Sequence, residues 1–250
     1  MITQDVASRQ VIGGLSESDC DLRRRGSGCL TGVMVDDVVR GQLAPAGRVE
    51  VISGPMFAGK SEELLRRVRR AGFAGRSVEV VHHAVDTRRG AGAVSSHSGL
   101  AIPAVPIADV AGLEAHVAAV RAGGLDLLAI DEAQFFGSAL VDAVQRFAGL
   151  GLIVIVAGLD VTFEARPFEP MPSLAALAES VTRLTAVCSV CGADAAFHER
   201  VVAADAVTTG VVAGGAGAGV REARPELVGG AESYVARCRH HLAVRPWDGS

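Results

Sequence analysis

Lysine is the amino acid that this sequence most clearly lacks. The chain has 250 residues and 24 basic Lys or Arg side chains, yet Lys60 is its single lysine. Arginine can replace lysine at many surface positions, but a phosphate-binding loop needs the compact ammonium group of lysine. The place of Lys60 in the sequence therefore points to a specific chemical task.

Other shortages exclude whole classes of protein. Aromatic residues make up 4% of the chain and hydrophobic residues 49%, so alanine, valine and leucine must supply most of the core. The formal net charge is −4, whereas a general nucleic-acid binder normally carries a basic surplus. We therefore expect no nucleic-acid partner.

Long apolar segments are absent as well. No run approaches the ~20 apolar residues of a membrane span, and no continuous hydrophobic segment resembles a secretory signal. Five cysteines, two of them in a C-x-x-C pair, favour metal binding in a reducing compartment over a disulfide framework. These features predict a cytoplasmic protein without a membrane partner.

Lys60 lies in a segment with the phosphate-loop spacing G-x-x-x-x-G-K-[ST]. In such loops backbone N–H groups surround the phosphates, the lysine contacts the outer oxygens, and the hydroxyl of Ser61 faces Mg²⁺. The sequence predicts a strand at 48–53 before the loop and a helix at 62–70 after it. We therefore predict a nucleoside triphosphate site at Gly54, Pro55, Met56, Phe57, Ala58, Gly59, Lys60 and Ser61.

Short apolar runs alternate with amphipathic segments after this loop. The pattern predicts strands at 77–81, 125–130 and 152–157, and helices at 110–122, 138–148 and 173–180. Near-continuous apolar strands in alternation with helices indicate an α/β fold, a parallel sheet with helices on both faces. Ligands bind at the carboxyl ends of the strands in such sheets.

Composition divides the chain into four parts. Residues 1–46 mix serine, glycine, aspartate and arginine without periodicity, which predicts a flexible N-terminal extension. Residues 47–180 form the predicted nucleotide-binding domain, residues 181–242 a small second lobe, and residues 243–250 a C-terminal tail. A Gly- and Ala-rich stretch at 213–219 predicts a flexible segment inside the second lobe.

Two carboxylates end the buried strand predicted at 125–130. Asp131 is placed to help hold Mg²⁺, and Glu132 to accept a proton from an attacking hydroxyl or to orient a water. The pair suits a kinase and an ATPase equally, and Glu132 could instead cap the segment that follows. The adjacent Phe135 and Phe136 could pack on a planar ligand, although one of them is expected in the core.

Two spaced pairs of cysteine and histidine supply a typical set of zinc ligands. Cys188 pairs with Cys191, and Cys238 pairs with His241. Three thiolates and one imidazole complete a tetrahedron, which favours a structural metal over a catalytic one. His240 is an alternative fourth ligand, although the spacing favours His241. The long separation between the pairs leaves open that they are unrelated.

Several segments in order resemble the zinc-containing, tetrameric type of thymidine kinase. They are residues 54–61, 86–88, 131–136, 158–160, 166–168, 177–181 and 228–234. Each motif is common alone, but the ordered series is specific and spans about residues 48–242. The resemblance implies a RecA-like P-loop domain and a zinc-ribbon lobe that carries a lasso loop. It also implies a homotetramer that phosphorylates the 5′-hydroxyl of thymidine, and of deoxyuridine, with ATP and Mg²⁺ in pyrimidine salvage.

The same resemblance implies roles for individual residues. Glu132 matches the general base, and Asp86, Arg88 and Gln134 match the phosphate end of the site. The residues implied to line the nucleoside pocket are Met56, Phe135, Leu159, Phe163 and Phe168. The loop implied to close over the base includes Val228, Gly229, Gly230 and Tyr234. Closure would exclude water, which could otherwise take the phosphoryl group from ATP.

Three features depart from the family pattern. His198 stands where the family has a smaller hydroxyl residue near the 5-substituent of the base, so the preference between thymidine and deoxyuridine stays open. Segment 203–224 is longer and richer in Gly and Ala, and residues 1–46 have no counterpart. A nucleic-acid-dependent ATPase and a non-catalytic nucleotide-binding regulator are the alternatives. The net charge of −4 opposes the first, and the intact Lys60 and acidic pair oppose the second.

Overall fold

The computed structural model describes residues 47–85, 93–95, 101–201, 233–243 and 245–248. The predicted extension at 1–46 and the segment 203–224 lie outside the described residues. Among the described residues, no helix combines the length and the apolar character needed to cross a bilayer.

Strands and helices alternate along the described residues. The strands are β1 (Arg48–Gly54), β2 (Val78–His83), β3 (Ala93–Ser95), β4 (Ala101–Pro103), β5 (Val105–Ile107), β6 (Leu127–Asp131), β7 (Ile153–Leu159), β8 (Ser180–Arg183), β9 (Ala186–Val187), β10 (Asp194–Ala195), β11 (Phe197–Arg200) and β12 (Tyr234–Arg237). The α-helices are α1 (Lys60–Phe73), α2 (Val110–Arg121), α3 (Ala139–Gly149) and α4 (Met171–Leu177), and 3-10 helices span Ala133–Phe136 and Arg239–His241.

Six strands form the central sheet in the order β5-β2-β6-β7-β1-β8. Every neighbouring pair in this sheet is parallel. The predicted parallel α/β sheet is therefore confirmed. The helix predicted at 173–180 ends earlier, at Leu177, because residues 180–183 pair with β1 as the edge strand β8.

Both faces of the sheet are buried, which explains the continuous apolar character of its strands. On one face, Val81, Leu128 and Ile130 pack in the same core as residues of α2, α3 and α4. On the other face, Val80 and Ala129 pack in the same core as residues of α1. Alternate residues of β2 and β6 thus point to different helix layers.

Helix α1 follows the phosphate loop directly. It buries Leu64, Leu65, Val68 and Ala71, which recur at helical spacing on one face. Arg67 on the same helix is only 14% exposed and donates to Glu50 at 2.8 Å and to Thr182 at 2.7 Å. These bonds join the middle of α1 to β1 and β8 and hold the helix against the sheet.

The second lobe has a small core of its own. Two antiparallel pairs, β9 with β10 and β11 with β12, build it. The buried members of its core are Ala186, Cys188, Ala195, Ala236 and Cys238. Ala58 of the phosphate loop packs against this cluster, so the lobe and the loop are in direct contact. The division of the chain at residues 180 and 181 stays a prediction.

Candidate active site

The phosphate loop is shaped by two glycines with positive φ. Gly54 has φ 149°, and a Cβ there would lie 2.4 Å from the carbonyl oxygen of Leu184. Gly59 has φ 82° and caps the N-terminus of α1. Lys60 Nζ donates to the carbonyl oxygen of Pro55 at 2.7 Å. The ammonium therefore lies inside the curve of its own loop, where phosphate oxygens bind in loops of this type.

Asp131 ends β6 as a buried carboxylate, 5% exposed. The Ser61 hydroxyl donates to it, and the backbone N–H of Glu132 donates to its Oδ1 at 3.0 Å. Burial, and then the charge of Glu132, raises the pKa of Asp131 to about 6, against these hydrogen bonds and the positive charge of Lys60. A hydroxyl and a carboxylate in contact are the oxygen ligands that Mg²⁺ takes, and the ion would offset the cost of burying the carboxylate's charge.

Glu132 occupies a left-handed turn directly after β6, with φ 52° and ψ 42°. Such a conformation is uncommon for a residue other than glycine and is found at functional sites. Its side chain makes no capping hydrogen bond to the 3-10 helix that follows. Instead, Gln134 Nε2 donates to Glu132 Oε2 at 2.6 Å. Glu132 therefore stands at the N-cap position of that helix, but its carboxylate is held by a neighbouring amide and does not cap the helix.

Gln134 connects this carboxylate to the end of β7. The residue is fully buried, and its Oε1 accepts from the backbone N–H of Leu159 at 3.0 Å. A Cβ on Gly158 would lie 2.8 Å from that Oε1 and 2.8 Å from Met171 Sδ. Glycine at 158 thus makes room for Gln134. The sequence suggested a phosphate-side role for Gln134, whereas its described contacts are with Glu132 and Leu159.

Asp160 directly follows β7, and the sequence analysis gave it no role. Its Oδ2 accepts from Ser53 Oγ at 3.2 Å and from Arg183 Nε at 2.7 Å. Its Oδ1 is buried and has no hydrogen-bond partner in the described part of the chain. The signal was available, because Asp160 follows a buried strand as Asp131 and Glu132 do.

The residues predicted to line the nucleoside pocket come from three places near the carboxyl ends of the strands. Met56 lies in the phosphate loop after β1, Phe135 lies after β6, and Leu159 ends β7. Phe163 lies in a turn closed by a 2.8 Å bond from Thr162 N–H to the Arg166 carbonyl. Phe168 is 5% exposed. Of the other predicted site residues, Asp86, Arg88, Val228, Gly229 and Gly230 lie outside the described residues.

Two residues of the second lobe lie side by side on paired strands. His198 on β11 and Tyr234 on β12 are 2% and 3% exposed, and their ring centroids are 5.7 Å apart. The Nδ1 of His198 is buried and unpartnered among the described residues. Burial, and then the positive charge of Lys60, lowers the pKa of His198 to about 3. The imidazole is therefore neutral and close enough to the phosphate loop to respond to its lysine.

The four predicted metal ligands meet in one place. The ligand atoms of Cys188, Cys191, Cys238 and His241 all lie within 4.8 Å of one another. Cys191 Sγ is 3.8 Å from Cys238 Sγ, and Cys188 Sγ is 3.7 Å from His241 Nδ1. A zinc tetrahedron with bonds of about 2.3 Å has edges of about 3.8 Å. The separations fit that metal, and His241, not His240, belongs to the group.

The thiol of Cys188 has a lowered pKa, which favours cation binding. Burial acts to raise its pKa, but hydrogen bonds from the backbone of Cys238, Val190 and Cys191 outweigh burial and lower the pKa to about 5. The thiolate is the form that binds metals. The residues thus supply a charged ligand at neutral pH, as a structural zinc site requires.

Comparison with known proteins agrees with this geometry. A family model described as "Thymidine kinase" matches residues 47–242, which include the phosphate loop, both strand-end carboxylates and both ligand pairs. A protein of Deinococcus deserti named "Thymidine kinase" is 45% identical over 207 residues, and the match covers 80% of this chain and 96% of that protein. The chain belongs to the thymidine kinase family.

Proposed function

We propose that this protein transfers the γ-phosphate of ATP to the 5′-hydroxyl of thymidine, and of deoxyuridine, in pyrimidine salvage. One observation carries the proposal: Glu132 is held by Gln134 at 2.6 Å, next to the buried Asp131 that binds the phosphate-loop residue Ser61. A proton acceptor and a phosphate site therefore lie side by side in a chain of the thymidine kinase family.

The described residues divide the work of phosphoryl transfer. Glu132 would accept the proton of the nucleoside 5′-hydroxyl as the oxygen attacks the γ-phosphorus and ADP departs. Lys60 and the backbone N–H groups of its loop would hold the phosphate oxygens in line with that attack. Mg²⁺ held by Ser61 and Asp131 would neutralise phosphate charge. Gln134 orients the carboxylate without taking part in the proton transfer.

The nucleoside is proposed to bind at the same edge of the sheet. The side chains of Met56, Phe135, Leu159, Phe163 and Phe168 would enclose it, with Asp86 and Arg88 towards the phosphates. Val228, Gly229, Gly230 and Tyr234 would close over the base. Support for the closing segment comes from Tyr234, which is buried beside His198 in the lobe that contacts the phosphate loop.

The general base is tested by Glu132→Gln. The amide keeps the shape of the side chain but cannot accept the proton, so phosphate transfer to thymidine should fall by roughly 10²–10⁴-fold. Transfer is measured with radiolabelled ATP, and nucleotide binding is measured in parallel to show that the site is intact. Glu114→Gln is the matched control and should keep full activity, because that carboxylate is partly exposed on α2 and pairs with Arg146 of α3. Unchanged turnover in Glu132→Gln would refute this mechanism.

The substrate is tested by the same transfer assay with thymidine, deoxyuridine and deoxycytidine. We expect label on thymidine and deoxyuridine. Their ratio shows which nucleoside is preferred by a protein in which His198 is buried beside the predicted closing-loop residue Tyr234. Hydrolysis of ATP that responds to single-stranded DNA, with no labelled nucleoside, would identify an ATPase instead.

We also propose that the protein binds one structural Zn²⁺, assembles as a homotetramer and works in the cytoplasm. The ligand separations support zinc, and thiols left free for a metal suit a reducing compartment. Assembly follows from the family resemblance. Sedimentation analysis of the purified protein tests the tetramer, since a monomer at micromolar concentration would contradict it.

A further inference from the structure

His82, at the carboxyl end of β2, has no part in the mechanism above. The residue is 5% exposed, and its Nδ1 lies 3.2 Å from the carbonyl oxygen of His83. Its Nε2 is buried and has no hydrogen-bond partner within the described ranges of the chain. Buried polar atoms in folded proteins nearly always have a partner, so this nitrogen points to a ligand that completes it.

The register of the sheet places this imidazole beside Asp131. Strands β2 and β6 are parallel, and His82 is paired with Asp131. Two residues earlier on each strand, Val80 and Ala129 belong to the core under α1. Side chains alternate along a strand, so His82 and Asp131 point to that same face, on strands about 4.8 Å apart. This is the face on which the phosphate loop and Ser61 lie.

The hydrogen bond at Nδ1 defines what Nε2 can bind. A carbonyl oxygen only accepts hydrogen bonds, so Nδ1 of His82 carries a proton. In the neutral ring Nε2 then has a lone pair and must accept from a donor. Phosphate oxygens and the ionised Asp131 carboxylate have no proton to donate. A water bound to Mg²⁺ is a strong donor, and Mg²⁺ in nucleotide sites keeps several waters.

We infer that His82 is a positioning residue of the magnesium site, whose Nε2 accepts a hydrogen bond from a water on the ion that Ser61 and Asp131 would hold. The inference rests on the proposed function only for the presence of a magnesium nucleotide. In this inference the imidazole of His82 acts on the magnesium ion through a bound water and does not contact the nucleoside. His82 therefore strengthens nucleotide binding when Mg²⁺ is present and has little effect without it.

Two substitutions separate the nitrogens of this ring. In His82→Asn the amide nitrogen replaces Nδ1 and the position of Nε2 is lost, whereas His82→Gln places a polar atom near Nε2. ADP affinity is measured by calorimetry with Mg²⁺ and with EDTA. We expect His82→Asn to reduce the Mg²⁺-dependent gain in affinity by about 3- to 10-fold, with metal-free affinity unchanged. His82→Gln should retain most of the gain.

A structural role would give a different result. If both variants lost metal-free affinity and thermal stability together, or if both kept the full magnesium-dependent gain, the inference would be wrong.

Should His82→Asn fail to fold, the wild-type protein provides the test by ¹⁵N NMR of the His82 ring. The Nε2 signal should move upfield with Mg²⁺ and ADP but not with ADP alone, and an unmoved signal overturns the inference. ADP binding needs no thymidine, so failure of the phosphate-transfer assay would leave this test independent.

Discussion

Burial shifts the pKa values of two single residues of this site in opposite directions, and in both cases it favours the uncharged form. It raises the pKa of Asp131 to about 6 and lowers the pKa of His198 to about 3. In both cases the neutral form is favoured because charge is poorly solvated inside the protein. For Asp131 a bound cation would offset that cost. His198 has no such compensation among the described residues, so its neutrality must appear in the pH dependence of stability.

The first residue-scale prediction concerns acid stability. The folded pKa of His198 lies below its unfolded value of about 6.5, so its contribution to stability is complete above about pH 6.5. That contribution is lost as pH falls towards 3, because the unfolded chain binds the proton first. At pH 5 the loss is about 2 kcal/mol relative to pH 7. Urea unfolding of the wild-type protein and of His198→Gln at both pH values measures it.

The difference between the two proteins isolates this residue. Glutamine is polar and similar in size but does not titrate, and every other titrating group is common to both chains. The wild-type protein should therefore lose about 2 kcal/mol more than the variant between pH 7 and pH 5. Protein concentration is held constant, because assembly would alter the apparent stability. Equal losses in both proteins would mean that His198 is charged or solvated in the folded state.

At the scale of the element, the strands best predicted from sequence are those buried on both faces. Strands β6 and β7 begin within two residues of their predicted starts. Their continuous apolar runs are typical of strands that helices cover on both faces of a sheet. The edge strands β5 and β8 were not predicted. They have three and four residues, and their pairing with β2 and β1 decides their conformation. Local pattern carries no information about such partners.

The candidate site divides in the same way. Motif spacing located the loop between β1 and α1, the two carboxylates at the end of β6 and the cysteine and histidine pairs that lie together. It could not foresee that Gln134 binds the backbone of Leu159, because 25 residues separate the two in sequence. The unpartnered Nε2 of His82 likewise depends on packing between strands. Contacts that only tertiary structure creates are those that complete the site.

Gly158 at the end of β7 gives a prediction at this scale. In Gly158→Ala the new Cβ would lie 2.8 Å from both Gln134 Oε1 and Met171 Sδ, so one of them must move. Overpacking should cost about 1–3 kcal/mol of unfolding free energy. Displacement of Gln134 should also misplace Glu132 and lower kcat by on the order of 10- to 100-fold. Urea denaturation and the thymidine transfer assay measure the two effects.

Gly72 in the last turn of α1 provides the matched control. A Cβ there would meet no atom within 4 Å. Gly72→Ala should therefore leave activity unchanged and stabilise the protein by about 0.5–1 kcal/mol, as alanine does in a helix. If Gly158→Ala were as active and as stable as the wild-type protein, the prediction that the new methyl group displaces Gln134 would be wrong.

On the scale of the whole molecule, the metal cluster and the phosphate loop are connected through the small core of the second lobe. The lobe that contains the cluster has a core of alanine and cysteine, and this small apolar surface contributes little stability by burial. A bound metal would close the chain between Cys191 and Cys238 and supply folding free energy. Ala58 of the phosphate loop packs on the same core, and His198 and Tyr234 stand on its strands. Loss of the metal should therefore also disturb the part of the site that is proposed to bind the nucleoside.

Neighbouring histidines allow this coupling to be tested. Nδ1 of His241 lies 3.2 Å from Cys238 Sγ and 3.7 Å from Cys188 Sγ, whereas His240 is not in the ligand group. His241→Ala should remove most of the zinc, about one ion per chain, and lower the unfolding temperature. His240→Ala should keep both. Elemental analysis and thermal unfolding measure this, and kcat/KM for thymidine should fall in His241→Ala alone.

If His240→Ala lost the zinc and His241→Ala retained it, the fourth ligand would be wrongly assigned. If the metal-free protein bound thymidine as tightly as the wild type, the lobe would not depend on its metal to shape the site.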